Sequence, residues 1–345
     1  MTAIKGSQTR PPIRAATIGP PGPVTPPVTP FHDRPGVDRG VQGTPLELRI
    51  APSSPALIDV IIPAYRGIAE TRRCLESALG ARVRVPHEIV VIDDASPEPA
   101  LSAWLRGLAD EGRVTLLAHA ANKGFVASVN EGMGLHPDRD VVLLNSDTEV
   151  SGDWLDRIAA CAARDPRAGT VTPFSNNATI CSYPVFAQSN PLPPETTAAR
   201  LDAAFARANA GRSVEIPTAV GFCMFIARRC LAEVGPFDED AFGRGYGEEV
   251  DFCMRAARLG WRHLLAADAF VFHQGEVSFG GGAQEIRNRA QAIIDTRYPE
   301  FQPRVREFIA ADPPRESRER ATAAMASLPE RLAARLRRWI GSPGP

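Results

Sequence analysis

The strongest constraint on this chain is a rhythm. Short apolar runs the length of one strand alternate with longer stretches whose apolar residues return every three or four positions. Ile58-Asp59-Val60-Ile61-Ile62-Pro63, Glu88-Ile89-Val90-Val91-Ile92 and the runs at 114–117 and 141–144 are of the first kind. They are apolar on both faces, as strands buried within a parallel sheet must be. Between them Cys74, Leu75, Ala78 and Leu79 recur at helical spacing before Gly80, and Trp104, Leu105 and Leu108 do so after Pro97. Residues 125–135 and 154–163 repeat the helical pattern. Strands alternating with helices predict βαβ units, an α/β fold with a mostly parallel central sheet and helices on both faces.

After Gly169 the rhythm breaks. A polar loop at 172–177 leads to a helix near 198–210, a strand at 218–226 and a Gly-rich loop, Phe242-Gly243-Arg244-Gly245-Tyr246-Gly247. A helix at 248–259, strands within 263–272 and helices at 283–297 and 301–310 complete this half, a smaller subregion beside the sheet. Twelve of the 32 prolines fall before Ala56, so residues 1–56 read as a Pro-rich disordered tail that cannot pack a core. The folded part is expected over 57–312, followed by a basic amphipathic tail at 313–345. There Leu332, Leu336, Trp339 and Ile340 share one helical face among arginines, a pattern that can rest on an anionic membrane surface.

A net charge of −1 argues against nucleic acid as a partner. Six cysteines without a CxxC or metal-knuckle spacing read as reduced thiols. With no apolar leader and no apolar run approaching about 18 residues, the expected location is the cytoplasm, with a peripheral contact at the inner membrane face through the C-terminal helix.

In an open α/β sheet, ligands bind beyond the carboxyl ends of the strands. Three polar clusters stand at such ends: Asp93-Asp94-Ala95-Ser96, Asn145-Ser146-Asp147-Thr148 and His273-Gln274-Gly275-Glu276. Each alone could be a turn or a helix cap. Together in one chain they point to a site.

Five ordered motifs carry a resemblance. Val60-Ile61-Ile62-Pro63-Ala64-Tyr65, Val91-Ile92-Asp93-Asp94-Ala95-Ser96, Asn122-Lys123-Gly124-Phe125, Leu144-Asn145-Ser146-Asp147-Thr148 and Gly247-Glu248-Glu249-Val250-Asp251 follow one another as in a family 2 glycosyltransferase of GT-A fold. The segment 175–179 and the loop 243–249 resemble bacterial enzymes of O-antigen and rhamnan-type polysaccharide assembly. The resemblance implies a nucleotide-binding half over 57–150 and an acceptor-binding half over 151–312. It implies an inverting transfer from a UDP- or dTDP-linked sugar, dTDP-rhamnose being the subfamily's hint, to a polysaccharide or lipid-linked glycan.

Pro63, Ala64, Tyr65 and Asp94 are then expected around the base, Lys123 at a phosphate, and Asn145 and Ser146 along the nucleotide. Asp147 stands in the family's Asp-x-Asp metal motif, whose first position here is Asn145, and His273 is the expected further ligand. A diphosphate leaving group calls for a hard divalent ion, Mg²⁺ or Mn²⁺, and an imidazole ligand tilts the choice toward Mn²⁺. Glu249 is the expected general base, at a position where the family usually has Asp. Glu248, Asp251, Gly245 and Tyr246 are expected near the sugars. The alternative is a catalytically inactive nucleotide-sugar-binding module, with Asn145 and Glu249 as its symptoms.

Overall fold

The computed structural model describes residues 57–192, 195–275 and 283–326. The expected Pro-rich tail, the amphipathic face at 332–340 and Glu276 lie outside the described residues.

The first half follows the βαβ rhythm. β1 (Ile58–Ala64), α1 (Ile68–Gly80), β2 (His87–Asp93), α2 (Pro99–Asp110), β3 (Thr115–Ala118), α3 (Phe125–Gly134) and β4 (Asp140–Leu144) succeed one another with short connections. β1 pairs in parallel with β2 from Ile58↔His87 to Ala64↔Asp93, and with β4 from Ile58↔Asp140 to Ile61↔Leu143. All three therefore end along one edge. α3 lies close on this sheet because Gly132 offers no side chain. A Cβ there would stand 2.8 Å from Ile61 Cγ2 and 3.0 Å from Ile92 Cδ1.

A two-residue strand β5 (Thr148–Glu149), α4 (Trp154–Ala163) and β6 (Ala168–Phe174) follow, then α5 (Ala198–Asn209), β7 (Ser213–Glu215) and β8 (Cys223–Ile226). α6 (Arg228–Val234), α7 (Glu239–Phe242), α8 (Glu248–Arg258), β9 (Arg262–Phe270) and β10 (Phe272–His273) lead to α9 (Ala283–Arg297), α10 (Phe301–Ala311) and α11 (Arg315–Met325). The large sheet has the order β3-β2-β1-β4-β8-β6-β9-β7. Most of its neighbours are parallel, but β8 runs antiparallel to both β4 and β6, and β7 antiparallel to β9. The strand expected at 218–226 is shorter than predicted. Residues 218–222 instead cross the sheet edge as a loop, where Phe222 O accepts the Asn145 N–H at 2.9 Å.

The fold does not stop at the expected boundary after residue 312. α11 packs on α5 with Ala321 fully buried, and Asn209 Nδ2 donates to Ser317 O at 3.1 Å. Arg318 is buried as well, its guanidinium forked on Asp312 at 2.8 and 2.7 Å and laid over the Phe186 ring. Hydrogen bonds and a cation–π contact satisfy the Arg318 guanidinium, so a charged segment contributes to the packed body.

Candidate active site

The strand ends open into a pocket of about 420 Å³. Its lining includes Pro63, Ala64 and Tyr65 from the end of β1, Asp94 after β2, Asn145, Ser146 and Asp147 after β4, and His273 of β10. Tyr246, from the glycine-rich loop, closes one side. The three strand-end clusters seen in the sequence thus meet in one cavity.

Each wall has a local cause. The turn after β1 is tied down by Glu98, whose carboxylate accepts the Gly67 N–H at 3.0 Å and the Ile68 N–H at 3.1 Å. Gly67 itself adopts φ 88°. This satisfies free donors at the start of α1 from outside the helix. Asp94 is 4% exposed and organises the next loop. Its Oδ1 accepts the Lys123 N–H at 2.7 Å and faces His119 Nδ1 at 2.8 Å, while Oδ2 accepts the Gly124 N–H at 2.9 Å. Oδ2 keeps lone-pair capacity toward the cavity. Asp93 instead accepts the Ser96 N–H at 2.8 Å and stays out of the pocket lining, as strand alternation dictates.

That loop meets the glycine-rich one. Gly124, at φ 91°, leaves little room for a side chain, since a Cβ would stand 3.2 Å from Gly243 O. The same carbonyl accepts the Val126 N–H at 3.2 Å.

β5 and β10 form a small antiparallel ribbon, Thr148 opposite His273 and Glu149 opposite Phe272. It sets Asp147 against His273. Asp147 Oδ2 accepts the Gly275 N–H at 2.9 Å, and Oδ1 lies 3.5 Å from His273 Nε2. The other ring nitrogen, Nδ1, donates to Asn177 O at 2.7 Å, because a carbonyl can only accept. Phe222 stacks on the ring with centroids 5.2 Å apart. Burial opposes charging of this imidazole, but Asp147 and the Asn177 carbonyl outweigh it and raise its pKa. A carboxylate oxygen and an imidazole nitrogen converging at a pocket wall suit a divalent cation.

A second such cluster, Asp59, Glu88 and His136, sits at the opposite strand ends. Arg139 already bridges its carboxylates, at 2.9 Å to Asp59 and 2.6 Å to Glu88, so a cation is resident there.

Other expected site residues lie elsewhere. Lys123 pairs with Glu131 at 2.7 Å on the surface and is absent from the lining. Asp251 is buried in a network with Arg255 (2.8 Å), Arg297 (2.9 Å) and the Tyr298 hydroxyl (2.7 Å), which anchors α8 to α9. Gly245 lines a neighbouring pocket of about 340 Å³ with Arg244 and Arg289. Glu249 starts α8 beside Gly221, its Oε2 accepting the Gly247 N–H at 3.2 Å, and is not part of the larger pocket's lining. Burial raises its pKa. Glu248 is 5% exposed, and its Oε2 has no hydrogen-bond partner among the described residues. Burial, and secondarily the charge of Glu249, push its pKa well up.

The sequence reading missed the pocket's own cations. Arg66, stacked over Tyr65 at 5.3 Å, and Arg244 both line it, with Asn122, Phe125, Ser128 and Ile286. A lone cation within a glycine-rich loop was the available signal for Arg244.

The family model for glycosyl transferase family 2 matches residues 59–235, more than half of the chain. The chain belongs to that family. Its fold is GT-A. An N-acetylglucosaminyl-diphospho-decaprenol L-rhamnosyltransferase of Mycobacterium tuberculosis (strain CDC 1551 / Oshkosh) is 26% identical over 252 residues, 65% of this chain and 78% of that protein. An uncharacterized protein of Sinorhizobium fredii (strain NBRC 101917 / NGR234) is 25% identical over 257 residues, 69% of this chain but 27% of the relative, so the match spans about a quarter of that protein. Among solved structures, GalNAc-T7 with UDP, GalNAc and Mn²⁺ aligns at a TM-score of 0.54 and 16% identity, covering 82% of this chain and 58% of that one. Among the described residues, no helix is long and apolar enough to cross a membrane.

Proposed function

We propose that this glycosyltransferase is inverting and metal-dependent, taking a sugar from a UDP- or dTDP-linked donor to a polysaccharide or lipid-linked glycan acceptor. The observation that carries this reading is the meeting of Asp94, Asp147, His273 and two arginines in one pocket at the strand ends. The rhamnosyltransferase relative favours dTDP-rhamnose and a diphosphate-lipid-linked acceptor.

In this reading Pro63, Ala64 and Tyr65 flank the base. Asp94 Oδ2 accepts the N3–H of a uracil or thymine, which a guanine would not offer in the same geometry. Asn145 and Ser146 border the nucleotide, and Arg66 and Arg244 supply the phosphate charge first sought in Lys123. Asp147 and His273 would hold Mn²⁺ or Mg²⁺, which neutralises charge on the departing diphosphate.

Glu249 takes the proton of the acceptor hydroxyl as that oxygen bonds to the anomeric carbon from the face opposite the breaking carbon–oxygen bond. Its raised pKa brings it closer to the range where a carboxylate is an effective base. Tyr246 and Gly245 border the acceptor, whereas Glu248 is buried outside both pocket linings and Asp251 holds α8 in place. The catalytic unit runs from residue 57 through α11.

Thermal unfolding with UDP, dTDP, GDP or CDP, each with and without Mn²⁺, tests the donor site. A nucleotide at about 100 times its Kd adds about 2.7 kcal/mol. UDP or dTDP with Mn²⁺ is expected to stabilise the protein, and GDP is not. No shift with any nucleotide would sink the assignment. Nucleotide-dependent stabilisation without sugar transfer to any acceptor or to water would favour the inactive module.

A further inference from the structure

The ribbon that carries His273 is only two residues long on each side, too short to fix a side chain by strand pairing alone. Something else must hold it. Asn176, 5% exposed on the loop after β6, does so by hydrogen bonds in both directions. Its Oδ1 accepts the His273 N–H at 2.9 Å, and its Nδ2 donates to His273 O at 3.0 Å. The amide thus does what a neighbouring strand would do for that one residue. The next carbonyl, Asn177 O, takes the Nδ1 proton at 2.7 Å and leaves the Nε2 lone pair of a neutral ring facing Asp147 Oδ1 at 3.5 Å. The main chain, the tautomer and the ring direction of His273 are all set by two consecutive residues of one loop.

We propose that Asn176 is a positioning residue for the divalent-ion site, clamping the backbone of His273 so that Nε2 faces Asp147. The proposal rests on the reading of Asp147 and His273 as ligands. Hydrogen-bond partners on the ring of a ligating histidine commonly carry a 10–100-fold effect on metal affinity, and Asn176 fixes the main chain from which the ring reaches its own partner, Asn177 O. Asn176 also has a purely architectural bond, Nδ2 to Asn190 O at 3.1 Å, so the test must separate the two roles.

The full chain is titrated with Mn²⁺ in the presence of UDP, with free Mn²⁺ read by electron paramagnetic resonance and imidazole-nitrogen coupling read by its pulsed form. Asn176→Ala is expected to weaken Mn²⁺ about 10–100-fold and to diminish the nitrogen coupling, while metal-free UDP binding stays unchanged. His273→Ala is expected to abolish the coupling, and adding Asn176→Ala to it should cost nothing further. Asn190→Ala keeps the carbonyl that Asn176 Nδ2 meets but removes the side-chain anchors of the same loop, Asn190 Nδ2 to Asn176 O (3.3 Å), Val185 O (2.9 Å) and Gln188 O (3.0 Å), so it should lower thermal stability with Mn²⁺ affinity intact.

Wild-type Mn²⁺ affinity in Asn176→Ala would overturn the proposal, as would an equal loss with and without His273. If His273→Ala weakens Mn²⁺ and Asn176→Ala does not, only the positioning role falls. If His273→Ala binds Mn²⁺ as tightly as wild type, the ligand assignment falls with it. Should Asn176→Ala fail to fold, Asn176→Asp keeps the shape and the acceptor for the His273 N–H but sets an oxygen against His273 O. It should weaken Mn²⁺ in the same direction, and unchanged affinity would refute the clamp.

Discussion

Acidification is expected to loosen the helix that begins with Glu248 and Glu249, because a neutral histidine lies beneath it. His263 of β9 is 3% exposed. Its Nε2 donates to Cys253 O in α8 at 2.9 Å, and its Nδ1 accepts from the Thr170 hydroxyl at 2.8 Å. Burial pushes its pKa from 6.5 down to about 4, against a smaller upward push from the Cys253 carbonyl; Arg304 lowers it further and Glu215 raises it slightly. The folded pKa lies below the unfolded one, so the unfolded chain takes up the proton first and stability falls as pH drops from 6.5 toward 4. At about 1.36 kcal/mol per unit, the full loss is about 3 kcal/mol, of which about 2 kcal/mol has gone by pH 5. Other groups titrate in the same range, so a difference is measured. Urea unfolding of wild type and His263→Gln is compared at pH 7.5 and pH 5. Glutamine hydrogen-bonds without charging, so wild type should lose about 2 kcal/mol more than the variant over that interval. Parallel pH profiles would refute the reasoning.

Two further outcomes follow from the site and its scaffold. Glu249→Gln is expected to reduce kcat about 10²–10⁴-fold while UDP affinity in the presence of Mn²⁺ is kept, and retained turnover would remove Glu249 as the base. Gly132→Ala forces a methyl group against Ile61 and Ile92, an overpacking of about 1–3 kcal/mol that the better helix propensity of alanine offsets by about 1. A net loss of up to about 2 kcal/mol should appear in the denaturant midpoint, and a higher midpoint would contradict the close approach of α3 to the sheet.

The parallel half was legible because β1, β2 and β4 are buried on both faces along most of their length. β1 and β2 begin and end within a residue or two of their apolar runs. The direction of β8 was not, since Cys223, Met224, Phe225 and Ile226 are buried alike whichever way the strand runs. α11 escaped because five of its eleven residues are charged, and its burial depends on partners, Asp312, Asn209 and Phe186, that only the fold brings together. Within the site, strand-end carboxylates and the late histidine could be read from position. Lys123 could not be separated from Arg66 and Arg244, because a long side chain's direction is set by neighbours such as Glu131.

The seam between Gly124 and Gly243 joins the loop after β3 to the glycine-rich loop through main-chain atoms. Neither loop is therefore a free module. Transplanting residues 242–247 from a relative to change the acceptor would carry over a carbonyl whose place is set by Val126 and Gly124, and any side chain at 124 would push the graft away. Redesign of this loop is accordingly expected to succeed through side-chain changes such as at Tyr246 rather than through exchange of its backbone.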